Sequence, residues 1–146
     1  MSRQESVYQI YYSYILNHTY SVLMGRIDKC MTFALLLLGS TVMASAGNAV
    51  VIGFCIAIIA ALQNSFKPSL GFEASRLQAA RYLNLFTISE DLDDAALAEQ
   101  KINIQLDDVS VWSSIEAIAE YRADLTLKDK SSKELTYFEK FLCLIC

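Results

Sequence analysis

The chain has 146 residues, room for one domain of ordinary size. Its composition is 54% hydrophobic with a mean hydropathy of +0.33, more apolar than a soluble domain needs to fill its core. Net charge is −4 and no block of Lys or Arg supplies an electrostatic footprint, so nucleic acid is excluded as an expected partner.

Residues 1–29 are expected to form an N-terminal amphipathic helix. Val7, Ile10, Tyr11, Tyr14 and Ile15 recur at three- and four-residue spacing, with Tyr8, Tyr12, Asn17 and His18 on other faces. Tyrosine suits a bilayer surface because its ring is apolar and its hydroxyl is not. Two placements therefore stay open for this helix, one in the membrane interface and one packed on the later helices. His18 is the only histidine and has no evident partner for a metal or catalytic role.

Between Lys29 and Lys67, 37 residues carry no Asp, Glu, Lys, Arg or His. A single bilayer-spanning helix takes about 20 apolar residues, so this length suits two short spans better than one. The break is expected at Ala46-Gly47-Asn48, because Gly and Asn leave a helix most readily. Residues 30–66 then form a transmembrane helical hairpin whose lipid partner is the bilayer itself. The competing account is a buried hairpin in a soluble domain, which requires the remaining residues to wrap both helices on every side.

Close approach of helices in lipid needs small side chains. Ser40 and Ala44, with Thr41 and Ser45 beside them, provide such a face on the first helix. Ala49, Gly53, Ala57 and Ala61 provide one on the second. These faces are expected to meet within the hairpin or between the subunits of a homo-oligomer. Arg26 and Lys29 before the stretch and Lys67 after it mark the membrane interface, while the turn is uncharged. That asymmetry places both termini in the cytoplasm of a plasma or inner membrane.

Residues 67–146 are expected to be an acidic, helical cytosolic segment, which makes the whole chain all-α. Pro68 separates the second span from a helix running from about Ser69 into the nineties, with Leu70, Ala74 and Leu77 in line and Phe72, Ala79, Leu83 and Phe86 broadening it. A further helix follows Asp107-Asp108, which could cap it, with Val111, Trp112, Ile115, Ile118 and Ala119 as its apolar face. Residues 128–133 read as a polar break, and Leu135, Phe138, Phe141 and Leu142 as a last short helix. From Pro68 onward there are eight Lys/Arg and fourteen Asp/Glu, a local net of 8 − 14 = −6, so this lobe should project away from an anionic surface.

Sequence chemistry points away from an enzyme. Asp93-Asp94 and Asp107-Asp108 lack His partners or calcium-loop spacing and read as turn and cap residues. Cys30 and Cys55 lie in the apolar stretch, where a thiol behaves as a small hydrophobe. Cys143-Leu144-Ile145-Cys146 has the form of a CxxC pair or a prenylation box, but the plain reading is an amphipathic helix with apolar last residues. No catalytic residue, metal site or cofactor is expected.

The order of parts resembles the SLATT family, the two-transmembrane effector domain associated with SMODS and SLOG proteins in prokaryotic conflict systems. The resembling pieces are the helix through Tyr8 to Arg26, the hairpin from Cys30 to Phe66, the stretch from Phe72-Glu73-Ala74 through Arg81-Tyr82-Leu83-Asn84-Leu85, and the Leu-rich segment up to Ile115. The resemblance implies an effector that oligomerises and perforates or depolarises a membrane when a nucleotide-sensing signalling partner acts. The tail after about Leu127 departs from it. Two other expectations fit the same hairpin: a viral or phage membrane component of ejection-conduit or holin type, and an adaptor that the hairpin merely anchors.

Overall fold

The structure is a computed structural model and describes residues 3–43, 48–108, 110–127 and 135–146. All regular elements among these are helices: α1 (Arg3–Met43), α2 (Ala49–Phe66), α3 (Pro68–Thr87), α4 (Asp94–Gln105), α5 (Ser113–Leu127) and α6 (Tyr137–Ile145). The polar break at 128–133 and the turn residues Ala46 and Gly47 lie outside the described residues.

The N-terminal helix and the first apolar helix are one element. Nothing between Arg3 and Met43 breaks the backbone, and α1 runs for 41 residues, about 60 Å at 1.5 Å per residue. Gly25 is helical within it, and the reason for a glycine there is packing. A Cβ at this position would stand 3.0 Å from the Phe72 ring, so the missing side chain lets α3 lie against the α1 backbone.

α2 and α3 return antiparallel along α1. Gln63 of α2 reaches Asp28 and Thr32, while on α3 Phe72 meets Gly25 and Phe86 meets Tyr11. The two helices are separated only at Lys67, whose φ of 44° and ψ of 54° are left-handed. Pro68 explains the break, since it has no N–H for a helical bond and disfavours helix in the residue before it. Lys67 N–H still closes α2 on the Gln63 carbonyl, and Pro68 opens α3 at its first position, where a proline is tolerated.

The remaining helices pack only on the N-terminal half of this long pair. One core cluster joins Ile10, Tyr82, Leu85 and Leu97 from α1, α3 and α4. Another joins Tyr20, Leu23, Met24, Ile115, Ile118 and Leu142 from α1, α5 and α6. The N-terminal tyrosines are thus placed on the later helices: Tyr8 donates to Asp124 Oδ1 of α5 at 2.7 Å, and Tyr20 meets the Trp112 ring edge-on.

The expected boundaries shift at two places. The helix that starts at Pro68 ends at Thr87, and α4 is a separate element with Asp93 as its extended N-cap. Arg3 stabilises the connection by donating to the carbonyls of Ser89 at 2.8 Å and Leu92 at 2.9 Å and pairing with Asp94 at 2.6 Å. Asp107 and Asp108 do not cap α5. That helix begins at Ser113, with the Trp112 carbonyl accepting its first backbone bond from Ile115, while Asp107 pairs with Arg81 and Asp108 with Tyr82.

Candidate functional site

Above the covered half, the paired helices α1 and α2 stand bare. No residue of α2 is buried, and Val50, Leu36 and Phe54 are 80%, 69% and 67% exposed. Ten such large apolar side chains between Phe33 and Phe66 present on the order of 1,000 Å², against a few hundred for the largest patch on an ordinary soluble monomer. The account in which the rest of the chain wraps the hairpin therefore does not describe this fold. One helical run, Ala49–Thr87, contains an 18-residue window apolar enough to cross a membrane, with mean hydropathy 2.1 and 0% burial.

Two spans are not found among the described residues. The apolar part of α1 starts after Arg26, Asp28 and Lys29 and is described only to Met43, too short for a second window of that length. The two helices nevertheless pack side by side. Their partly buried faces are Met31, Leu35 and Leu38 on α1 and Ile52, Ile56, Ile59 and Gln63 on α2.

The small residues lie elsewhere. Ala49, Gly53, Ala57 and Ala61 are all exposed on the outer side of α2, and a Cβ added at Gly53 meets nothing within 4 Å. Ser40 is exposed on α1, while Ala44 lies outside the described residues. Within one chain, then, the partly buried faces of the hairpin are formed mainly by large aliphatic side chains, and the small-residue stripe of α2 takes no part in closing it. Periodicity alone could not separate the two, because stripes four residues apart exist on both sides of α2.

Ser40, Thr41, Asn48 and Gln63 on the bare helices make local hydrogen bonds. Ser40 Oγ donates to the Leu37 carbonyl and Thr41 Oγ1 to the Leu38 carbonyl, both at 2.7 Å. Asn48 caps α2, its side-chain oxygen accepting from Val50 N–H at 3.1 Å. At the foot of the hairpin Gln63 Nε2 donates to Asp28 Oδ1 and Thr32 Oγ1, each at 3.3 Å. This polar contact is flanked by Lys29 and Lys67, both exposed, and by Arg26, which donates to the Ile145 carbonyl at the end of α6. At the same level an apolar cavity of about 230 Å³ opens between Met24, Ile27, Met31, Phe66 and Trp112. The three cations marked in the sequence thus form one tier at the foot.

Below the foot, polar side chains fix the base. Tyr82 donates to Asp108 Oδ2 at 2.7 Å, with Gln78 and Asn17 adding bonds to the same carboxylate. Burial nonetheless pushes the Asp108 carboxyl above its ordinary value, outweighing those three donors. Burial, together with the carboxylates of Asp124 and Glu120, raises Tyr8 to about 12, and burial with Glu116 and Glu120 raises Tyr12 to about 12. These contacts join α1, α3 and α5 and were not visible in the sequence, since no local motif links Tyr82 to Asp108 or Tyr8 to Asp124. All four cysteine thiols are free; Cys30 and Cys55 are exposed on the hairpin, and Cys143 and Cys146 are partly buried at the base.

Comparison with protein-family models, with curated proteins and with solved structures finds no match to this chain.

Proposed function

We propose that this protein inserts the hairpin of α1 and α2 into a lipid bilayer, assembles there into an oligomer, and acts as an effector that permeabilises or depolarises the membrane. The observation that carries this reading is the uncovered apolar hairpin, with no buried residue on α2, beside a base that holds the buried core clusters. Water is a poor solvent for that surface and lipid a good one. The tier of Arg26, Lys29 and Lys67 supports insertion up to the foot, with both termini on the cytoplasmic side.

Hairpin length fits a slightly short span. α2 rises about 27 Å over its 18 residues, a little under the roughly 30 Å of hydrocarbon in an ordinary bilayer. A mismatch of that size is met by modest thinning of the bilayer or by oligomerising. The outward small-residue stripe of α2 supplies a face for contact between copies. The resemblance to the SLATT family adds a trigger by a signalling protein at the base.

A plain anchor is the second reading, favoured by the hydroxyl protons of Ser40 and Thr41 being used within α1, on carbonyls of their own helix. Reconstitution into vesicles separates the two. An effector remains in the membrane after alkaline extraction, migrates as an oligomer and releases an entrapped ion or dye. A monomer that resists extraction and leaves the vesicles tight is an anchor, and a chain that washes off with alkali is neither.

A further inference from the structure

We infer that α6 is a second lipid contact, lying in the membrane interface beside the foot of the hairpin; this rests on the insertion proposed above. α6 is a nine-residue helix with apolar side chains on two faces. Leu142 points inward and is buried, and Leu135 and Cys146, from either end of the helix, pack on the same cluster of α1 and α5. The other face carries Tyr137, Phe138, Phe141 and Leu144, with Tyr137 90% and Leu144 83% exposed.

Position decides what covers this face. The Arg26 guanidinium holds the carbonyl of Ile145, and Arg122 donates to the carbonyl of Cys143 at 3.1 Å, so the C-terminal turn of α6 is fixed against α1 and α5. Arg26 precedes the uncharged stretch at Cys30 by four residues, about 6 Å along the helix. An inserted hairpin therefore brings the end of α6 within the roughly 5–10 Å depth at which interfacial helices lie. Trp112, half exposed, and Phe66 stand at the same level around the cavity at the foot, completing an aromatic tier of the kind favoured at a membrane surface. Lys140 sits with its Nζ 5.7 Å from the centre of the Tyr137 ring, a cation placed to reach headgroup phosphates while its stem covers apolar surface.

A protein partner fits this face less well. The four side chains offer on the order of 600 Å², below the roughly 800 Å² per partner of a standard interface, whereas continuity with the bare hairpin adds lipid contact at no cost in new interface. The chain's single Trp provides the test. Trp112→Phe/Phe141→Trp moves the fluorophore to α6, and Trp112→Phe/Leu144→Trp repeats the reading one turn on. In phosphatidylcholine–phosphatidylglycerol vesicles, lipids brominated near the top of the acyl chain should quench both by at least twofold, and iodide should quench them little. Emission that stays iodide-accessible and blind to bromine, in protein that resists alkaline extraction, overturns the role of α6 alone. Emission blind to both quenchers assigns the face to a protein, including a second copy. Complete loss of the protein on alkaline extraction overturns both readings.

Discussion

Asp108 illustrates how single residues set the stability of the base. Its carboxyl is held above the ordinary 3.8 by burial, so the folded state binds its proton more tightly than the unfolded chain does. The resulting contribution to stability is fully present below 3.8 and is lost as pH rises through the raised folded value. Asp108→Asn should remove that pH dependence, seen as a melting temperature that changes less than the wild type's between pH 4 and 7. Tyr82→Phe removes a donor from the Asp108 carboxyl and should cost about 1–3 kcal/mol, measured by thermal unfolding in detergent. Tyr8 and Tyr12 act at the other end of the scale. Both rise from 10.0 to about 12 on folding, so their contribution is intact below pH 10 and disappears as pH passes 12. Tyr8→Phe/Tyr12→Phe should unfold over a narrower fall in melting temperature than the wild type between pH 9 and 12; an identical fall would mean that the two hydroxyls are not perturbed.

At the scale of elements, the continuity of α1 matters most. The helix that nucleates the base core through Ile10, Tyr20 and Leu23 is the same helix that carries Phe33 and Leu36 into the bare half, and Phe72 fills the one glycine at the crossover. Base and hairpin therefore share one uninterrupted helix and the Gly25–Phe72 contact. α2 joins that helix by Ile52, Ile56 and Ile59, leaving Gly53 facing outward into open space. Gly53→Leu should leave folding and alkaline-resistant insertion unchanged, because its Cβ meets nothing in the chain. If copies meet through this face, the bulkier side chain should shift the oligomer toward monomer and reduce vesicle leakage at least severalfold, read by native electrophoresis and dye release. Unchanged assembly would move the subunit contact off this stripe. The division of residues 68–105 into α3 and α4 was harder to see, because Leu83 and Phe86 continue the apolar line toward Leu97 in sequence. The break comes from an acidic turn whose carbonyls Arg3, some 86 residues away, draws together.

Among the described residues the uncharged helices lie at one end of α1 and the acidic turn before α4 at the other. Arg3 and its acidic neighbours Asp91, Asp93 and Asp94 lie at the far end of α1, about 40 Å from Cys30, several screening lengths from a membrane held at the foot. Phe54 stands at the opposite end, exposed in the isolated chain. Phe54→Lys distinguishes lipid from water as its surroundings: in water the change is near neutral, whereas a Lys near the bilayer centre costs about 2.5–3.5 kcal/mol. The variant should keep its helical circular dichroism and lose most of its membrane-bound fraction on flotation; undiminished flotation would show that the hairpin is not in hydrocarbon.

By itself the sequence determined the all-helical class, a helix beginning near Asn48 and ending at Phe66, the interruption at Pro68 and the apolar positions Ile115, Ile118 and Ala119 of α5, because each follows from charge, caps and periodicity within a few residues; it did not show that Phe138 and Phe141 face away from Leu142. It also marked the uncharged stretch and the three cations that bound it. Only the tertiary structure decided that the first two expected helices are one, that the tyrosines belong to the base, and that Ile52, Ile56 and Ile59 close the hairpin while Gly53 and Ala57 face out. Those outcomes depend on which of several apolar faces finds a partner, a choice made by contacts between residues tens of positions apart. The bareness of the hairpin belongs to the same class: 37 uncharged residues permit a buried pair or an exposed one, and the remaining helices, packed wholly on the N-terminal half of α1, leave it exposed.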